Sequence, residues 1–127
     1  MWHKKLDGTE HQLILEIYTA LHAEALSLAL MGLRALLDVY MVKKVGDCGS
    51  FKRKLKQLVQ IGFLSAAQLE QIEPAIEAGS AAAHRGFSPS KETVIFVLDL
   101  VELLLHQDIL GPQAEQVSAS VPPRSSR

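Results

Sequence analysis

Residues 25–42 read Ala-Leu-Ser-Leu-Ala-Leu-Met-Gly-Leu-Arg-Ala-Leu-Leu-Asp-Val-Tyr-Met-Val, with only two charges, Arg34 and Asp38. A helix that is apolar nearly all round has to be covered on most sides, so this stretch predicts a helix running through the centre of a domain. Arg34 and Asp38 lie one turn apart and can pair, although arginine preceding the acid is the weaker order for a surface pair. A guanidinium has more donors than one carboxylate can use, so a half-buried Arg34 needs further partners. The plain expectation is an ion pair that locks the central helix. A sharper one is that Arg34 also reaches a polar site elsewhere in the fold, because perturbed polar groups collect at sites.

Upstream, residues 1–8 read as a flexible leader. Asp7 and Thr9 both stand at capping-box spacing, three before Glu10 and Gln12. Leu13, Ile14, Ile17, Tyr18 and Leu21 then recur at helical intervals, with Glu10, His11 and Glu16 expected outside. Downstream, Gly46, Asp47 and Gly49 break the pattern and Ser50 can cap a third helix. In that helix Phe51, Leu55, Leu58 and Val59 form the buried stripe and the lysines point outward, with Gly62 as C-terminal cap. Ser65 and Gln68 have the spacing of a new capping box.

The fourth helix carries Leu69, Ile72, Ile76 and Ala83 on its apolar side. Pro74 predicts a kink or a restart there, with Glu73 as cap. Glu73, Glu77, Ser80 and His84 follow at spacings of four, three and four, one line beside the buried stripe. The run Gly79-Ser80-Ala81-Ala82-Ala83-His84-Arg85-Gly86 lets backbone approach closely and presents a ring nitrogen and a cation at its end. Phe87-Ser88-Pro89-Ser90 is a turn, either serine being available as cap, and Gly86 is expected to end the helix before it. From Val94 to Leu105 all residues but Asp99 and Glu102 are apolar, which implies two buried faces on the last helix, the second expected against a partner subunit. Residues 111–127 lack periodicity and read as a disordered tail.

Composition narrows the class. Hydrophobic residues make up 48% and charged residues 21% of 127, an ordinary globular balance for one domain. The single cysteine, Cys48, excludes an intrachain disulfide and makes a reducing cytoplasm the simplest home. No run is apolar for the roughly 18 residues a membrane span requires. A net charge of -1 makes no case for a polyanionic partner, yet Lys43, Lys44, Lys52, Arg53, Lys54 and Lys56 share one short segment that could contact phosphates. Most such runs are solvated helix faces. No phosphate loop, Cys-x-x-Cys pair, zinc-protease helix or nucleophile elbow is present, and the histidines have no metal-ligand spacing, so no metal or cofactor is expected.

The order Glu24, then Arg34-Ala-Leu-Leu-Asp38, a basic helix, Gly62, and Gly79-Ser80-Ala-Ala-Ala-His84 resembles a bacterial domain family of unknown function found in proteins associated with restriction endonucleases. That family in turn resembles the HEPN superfamily of small all-helical domains, many of them dimeric ribonucleases or toxins. The resemblance covers roughly residues 12–110 and implies a helical bundle and a homodimer. The HEPN catalytic motif places arginine five residues before its histidine; here Gly79 stands five before His84, and glycine cannot stabilise phosphate charge.

The resulting expectation is a single all-α bundle of about five helices over residues 9–110, HEPN-like, the second and fifth central. Its function reads as a non-catalytic interaction or binding module of a prokaryotic protein, linked to defence or restriction. It would act as a homodimer through the fifth helix and the small-residue segment, with Arg34, Asp38, Ser80, His84 and Arg85 as a polar cluster and a protein partner possible. The alternatives are a metal-independent ribonuclease using His84 as general acid or base, and nucleic-acid binding through residues 43–56.

Overall fold

Asp7 starts the first helix: its carboxylate accepts the Glu10 N–H at 3.1 Å, and α1 (Gly8–His22) follows. The computed structural model describes residues 4, 6–85 and 88–120, the side chains of 75, 78–85 and 110–120 lying outside the description. Leu6, within the stretch read as a leader, is already buried in the core. α1 closes with two reversed bonds, Ala25 N–H to Ala20 C=O at 2.8 Å and Glu24 N–H to Leu21 C=O at 3.0 Å. This is a Schellman ending in which Glu24, at φ 58°, occupies the left-handed position usually held by glycine.

α2 (Leu26–Val45) is the hub predicted from residues 25–42 and packs against all four other helices. Leu30, Leu33, Leu36, Leu37, Tyr40 and Met41 are buried along it, each such side chain contributing about 1.5–3 kcal/mol of apolar burial. The last helix does not share that central role: it packs on α2 and on the fourth helix and keeps Phe96 and Leu103 exposed. α1 approaches α2 closely at Gly32, where a Cβ would lie 2.8 Å from Ile17 Cγ1.

Ser50 caps α3 (Phe51–Gln60), its hydroxyl accepting the Arg53 N–H at 3.1 Å. The helix ends on Gly62 at φ 89°, with Phe63 N–H bonded to Leu58 C=O and Gly62 N–H to Val59 C=O. The apolar residue that buries itself after this cap is Leu64, whereas Phe63 stays largely exposed under the Lys44 ammonium. Ser65 and Gln68 make the reciprocal capping box, at 3.0 and 2.9 Å, that opens α4 (Ala66–Arg85).

α4 runs unbroken through Pro74, so the expected restart with Glu73 as cap does not occur. Proline lacks an N–H, which leaves the Glu70 carbonyl without its helical donor inside a continuous helix. Packing of Ile72 and Ile76, both buried, on either side of the proline offsets that loss. Gly86 and Phe87 lie outside the described residues. Ser90 is the serine that caps α5 (Lys91–Ser120), accepting the Thr93 N–H at 3.1 Å. This helix continues past Leu110, where the sequence reading begins a tail, to Ser120. All five described elements are α-helices.

Candidate functional site

Arg34 leaves α2 toward α3 and α4 and lays its guanidinium over the Phe51 ring, 4.7 Å from the centroid. Around this pair opens a cleft of ≈ 140 Å³ lined by Arg34, Phe51, Lys52, Leu55, Glu73, Ile76 and Glu77. Its floor is apolar, Leu55 and Ile76 belonging to the core. Both cations come from α2 and α3 and both carboxylates from α4, so opposite charges face each other across an apolar floor. The Arg34 Nε is shielded from solvent and, among the described residues, has no hydrogen-bond partner.

Asp38 does not pair with Arg34 as expected. It pairs with Lys54, Nζ to Oδ1 at 2.6 Å, and Asp47 stands 3.8 Å from the same ammonium. Lys54 is only 5% exposed, so the expectation that every lysine of α3 points outward fails at this position. The reason is spacing: Lys54 neighbours Leu55 and stands one turn before Leu58, both buried, and the inward helix face takes it along. The hydrogen bond to Asp38 raises its pKa against the opposing effect of burial.

A second polar assembly joins α1, α2 and α5. Lys43 Nζ donates to Glu10 at 3.1 Å and to Asp108 at 2.8 Å, with Asp7 at 3.7 Å; Lys44 also pairs with Asp108. Glu10, expected on the outside of α1, is fully buried. It lies four and seven residues before Ile14 and Ile17, the buried face of α1, and Lys43 supplies the countercharge that burial demands. Burial raises the Glu10 pKa, partly opposed by Lys43. Burial works the same way on Asp108, but hydrogen bonds from Lys43 and Lys44 outweigh it and hold its pKa down. Tyr40 beside them is pushed up to about 12 by burial and by Asp108 and Glu10. On the neighbouring part of α5, Tyr18 donates to Glu102.

The predicted site residues therefore separate. Arg34 lines the cleft and Asp38 belongs to the Lys54 pair. Ser80, His84 and Arg85 lie on the α4 backbone, Ser80 and His84 continuing the line of Glu73 and Glu77, and their side chains lie outside the described residues. Of the six basic residues, Lys43, Lys44 and Lys54 hold carboxylates. Lys52, Arg53 and Lys56 are exposed, Lys52 at the cleft rim. Phe51 and the two glutamates were legible only as a core residue and a polar line, because the cleft exists only where three helices meet. Among the described residues no group of three or more His, Cys, Asp or Glu side chains is placed to hold a metal ion. None of the described helices is long and apolar enough to cross a membrane.

Fold and cleft together define a small all-α domain with one buried hub helix and a charged cleft between its second, third and fourth helices. Residues 15–122 match the family described as Domain of unknown function (DUF4145), and the chain belongs to that family. No curated protein and no solved structure matches it.

Proposed function

We propose that the chain is a non-catalytic binding module that acts as a homodimer through α5. The observation that carries this reading is the outer face of α5. Val94, Val97, Leu98, Val101, Leu104 and Leu105 bury one side of the helix, yet Phe96 and Leu103, seven residues apart and so on one face, remain 39% and 43% exposed. An antiparallel pair of α5 helices crossing between residues 99 and 100 would set Phe96 of each subunit against Leu103 of the other, the self-complementary arrangement a two-fold dimer requires. Gly79 at the HEPN arginine position supports a binding role over cleavage. With three of the six basic residues holding carboxylates, nucleic-acid binding through residues 43–56 has less charge to draw on. A link to prokaryotic defence or restriction belongs to the same proposal and rests on the motif resemblance.

The test is light scattering coupled to size exclusion across the micromolar range. Wild type is expected at twice the chain mass and Phe96→Glu/Leu103→Glu at the chain mass with unchanged helical circular dichroism. A wild-type monomer at about 100 µM, a concentration at which even weak dimers populate, would sink the reading.

A further inference from the structure

The charges of the cleft between α2, α3 and α4 constrain what can occupy it. An inorganic anion would meet Glu73 and Glu77, and a metal ion or simple amine would meet Arg34 and Lys52. The four charges sum to zero and are sorted by wall, cations on α2 and α3, carboxylates on α4. Among the described residues no ion pair closes the cleft from Arg34 or Lys52 to either glutamate. Among the described residues Arg34 pairs with no carboxylate, so its guanidinium is left to take one from a bound molecule, the stronger, charge-assisted kind of hydrogen bond. Between the charged walls lie Phe51, Leu55 and Ile76, with space of ≈ 140 Å³. An apolar cavity of about 150 Å³ accepts a benzene-sized group. A branched aliphatic side chain fits that space.

We propose that this cleft binds a free branched aliphatic α-amino acid, of which leucine is the type. Its carboxylate lies on Arg34, with Lys52 at the rim, its ammonium faces Glu73 and Glu77, and its side chain rests on Leu55 and Ile76. The free amino acid is the occupant because it carries both charges on one carbon beside an apolar group; an internal peptide residue carries neither, and a chain terminus only one. Arg34 is held for this task by Phe51, which fixes the guanidinium plane without using its hydrogen-bond donors. The inference deepens the reading of the chain as a binding module and is independent of whether α5 pairs.

Isothermal calorimetry on the full chain decides it, with L-leucine, 4-methylpentanoate, which lacks the ammonium, and 3-methylbutylamine, which lacks the carboxylate. Leucine is expected to bind with Kd on the order of 10 µM to 1 mM, and each analogue at least about tenfold more weakly. Arg34→Gln should weaken leucine by about tenfold while leaving 3-methylbutylamine unchanged; Glu73→Gln/Glu77→Gln should weaken leucine and spare 4-methylpentanoate. If Arg34→Gln does not fold, the glutamate variant and the analogue series on wild type still decide. Absence of binding by leucine, isoleucine and valine at about 10 mM overturns the proposal. So does equal affinity for leucine and both analogues, which would mean an apolar slot only, or leucine affinity unaltered by the variants, which would place binding elsewhere. Light scattering on the same samples reads the oligomer separately, so failure of the dimer and failure of the ligand are distinct results.

Discussion

Asp38 could have served Arg34, one turn away on its own helix, and serves Lys54 instead. The choice has a measurable consequence. Asp38→Asn leaves a buried ammonium with only the more distant Asp47, and should cost about 1–2 kcal/mol in urea unfolding, the low end for a buried pair because Asp38 itself is 40% exposed. Arg34→Gln should cost less, since Arg34 holds no carboxylate among the described residues. Equal costs would mean that the two charges of α2 are coupled after all. Glu10 permits a second test. Its folded pKa is raised above the ordinary 4.5, so the folded chain binds its proton more tightly than the unfolded chain does. That contribution is fully present below the unfolded value and is lost as pH rises through the folded one. Asp108, lowered from 3.8, has the opposite sign: its contribution is present above the unfolded value and lost as pH falls through the folded one. Tm measured from pH 7 downward should therefore gain from Glu10 before acid unfolding sets in, and Glu10→Gln should remove that gain while keeping the acid downturn. A Glu10→Gln profile parallel to wild type throughout would contradict the assignment.

At the scale of helices, what was legible in the sequence is what is decided within one turn. Asp7, Ser50, Ser65 and Ser90 each bond a backbone N–H three residues on, so type and spacing sufficed to place the starts at Ser50 and Ser65 and to narrow the other two to Asp7 or Thr9 and to Ser88 or Ser90. Glu10 and Lys54 escaped because their burial depends on partners 33 and 16 residues away, Lys43 and Asp38. At Pro74 only the alternative of a restart fails, for a similar reason: tertiary packing of Ile72 and Ile76 carries the helix through a local breaker. The cleft could not be read because Arg34, Phe51 and Glu73 belong to three different helices. Two substitutions test the helix ends and crossings themselves. Glu24 holds a left-handed conformation that costs a non-glycine residue about 1–2 kcal/mol. Glycine recovers that cost but loses about 0.5–1 kcal/mol of chain entropy, so Glu24→Gly should stabilise by about 0.5 kcal/mol, read as a higher urea midpoint. Gly32→Ala gains about 1 kcal/mol of helix propensity but drives Cβ to 2.8 Å from Ile17 Cγ1, the inner branch of a buried side chain. Overpacking of about 1–3 kcal/mol should win, and the variant should melt below wild type.

For the molecule as a whole, the question is whether α5 offers enough surface to hold two copies together. A stable interface removes about 800 Å² from each partner. Phe96 and Leu103, 39% and 43% exposed, supply only roughly 150 Å² of this. The remainder must come from the rest of the helix's outer face, and thirty residues at 1.5 Å rise make that helix about 45 Å long. If folding and pairing are linked in this way, mass action makes thermal stability depend on protein concentration. Wild-type Tm should rise by several degrees between about 2 µM and 200 µM chain, a hundredfold range worth about 2.7 kcal/mol of linkage. Phe96→Glu/Leu103→Glu alters only exposed positions, so it should fold, melt near the low-concentration wild-type value and show no concentration dependence. A wild-type Tm constant over that range would mean that Phe96 and Leu103 face water in the working molecule. Their exposure would then need no partner, since scattered apolar side chains are normal on monomer surfaces.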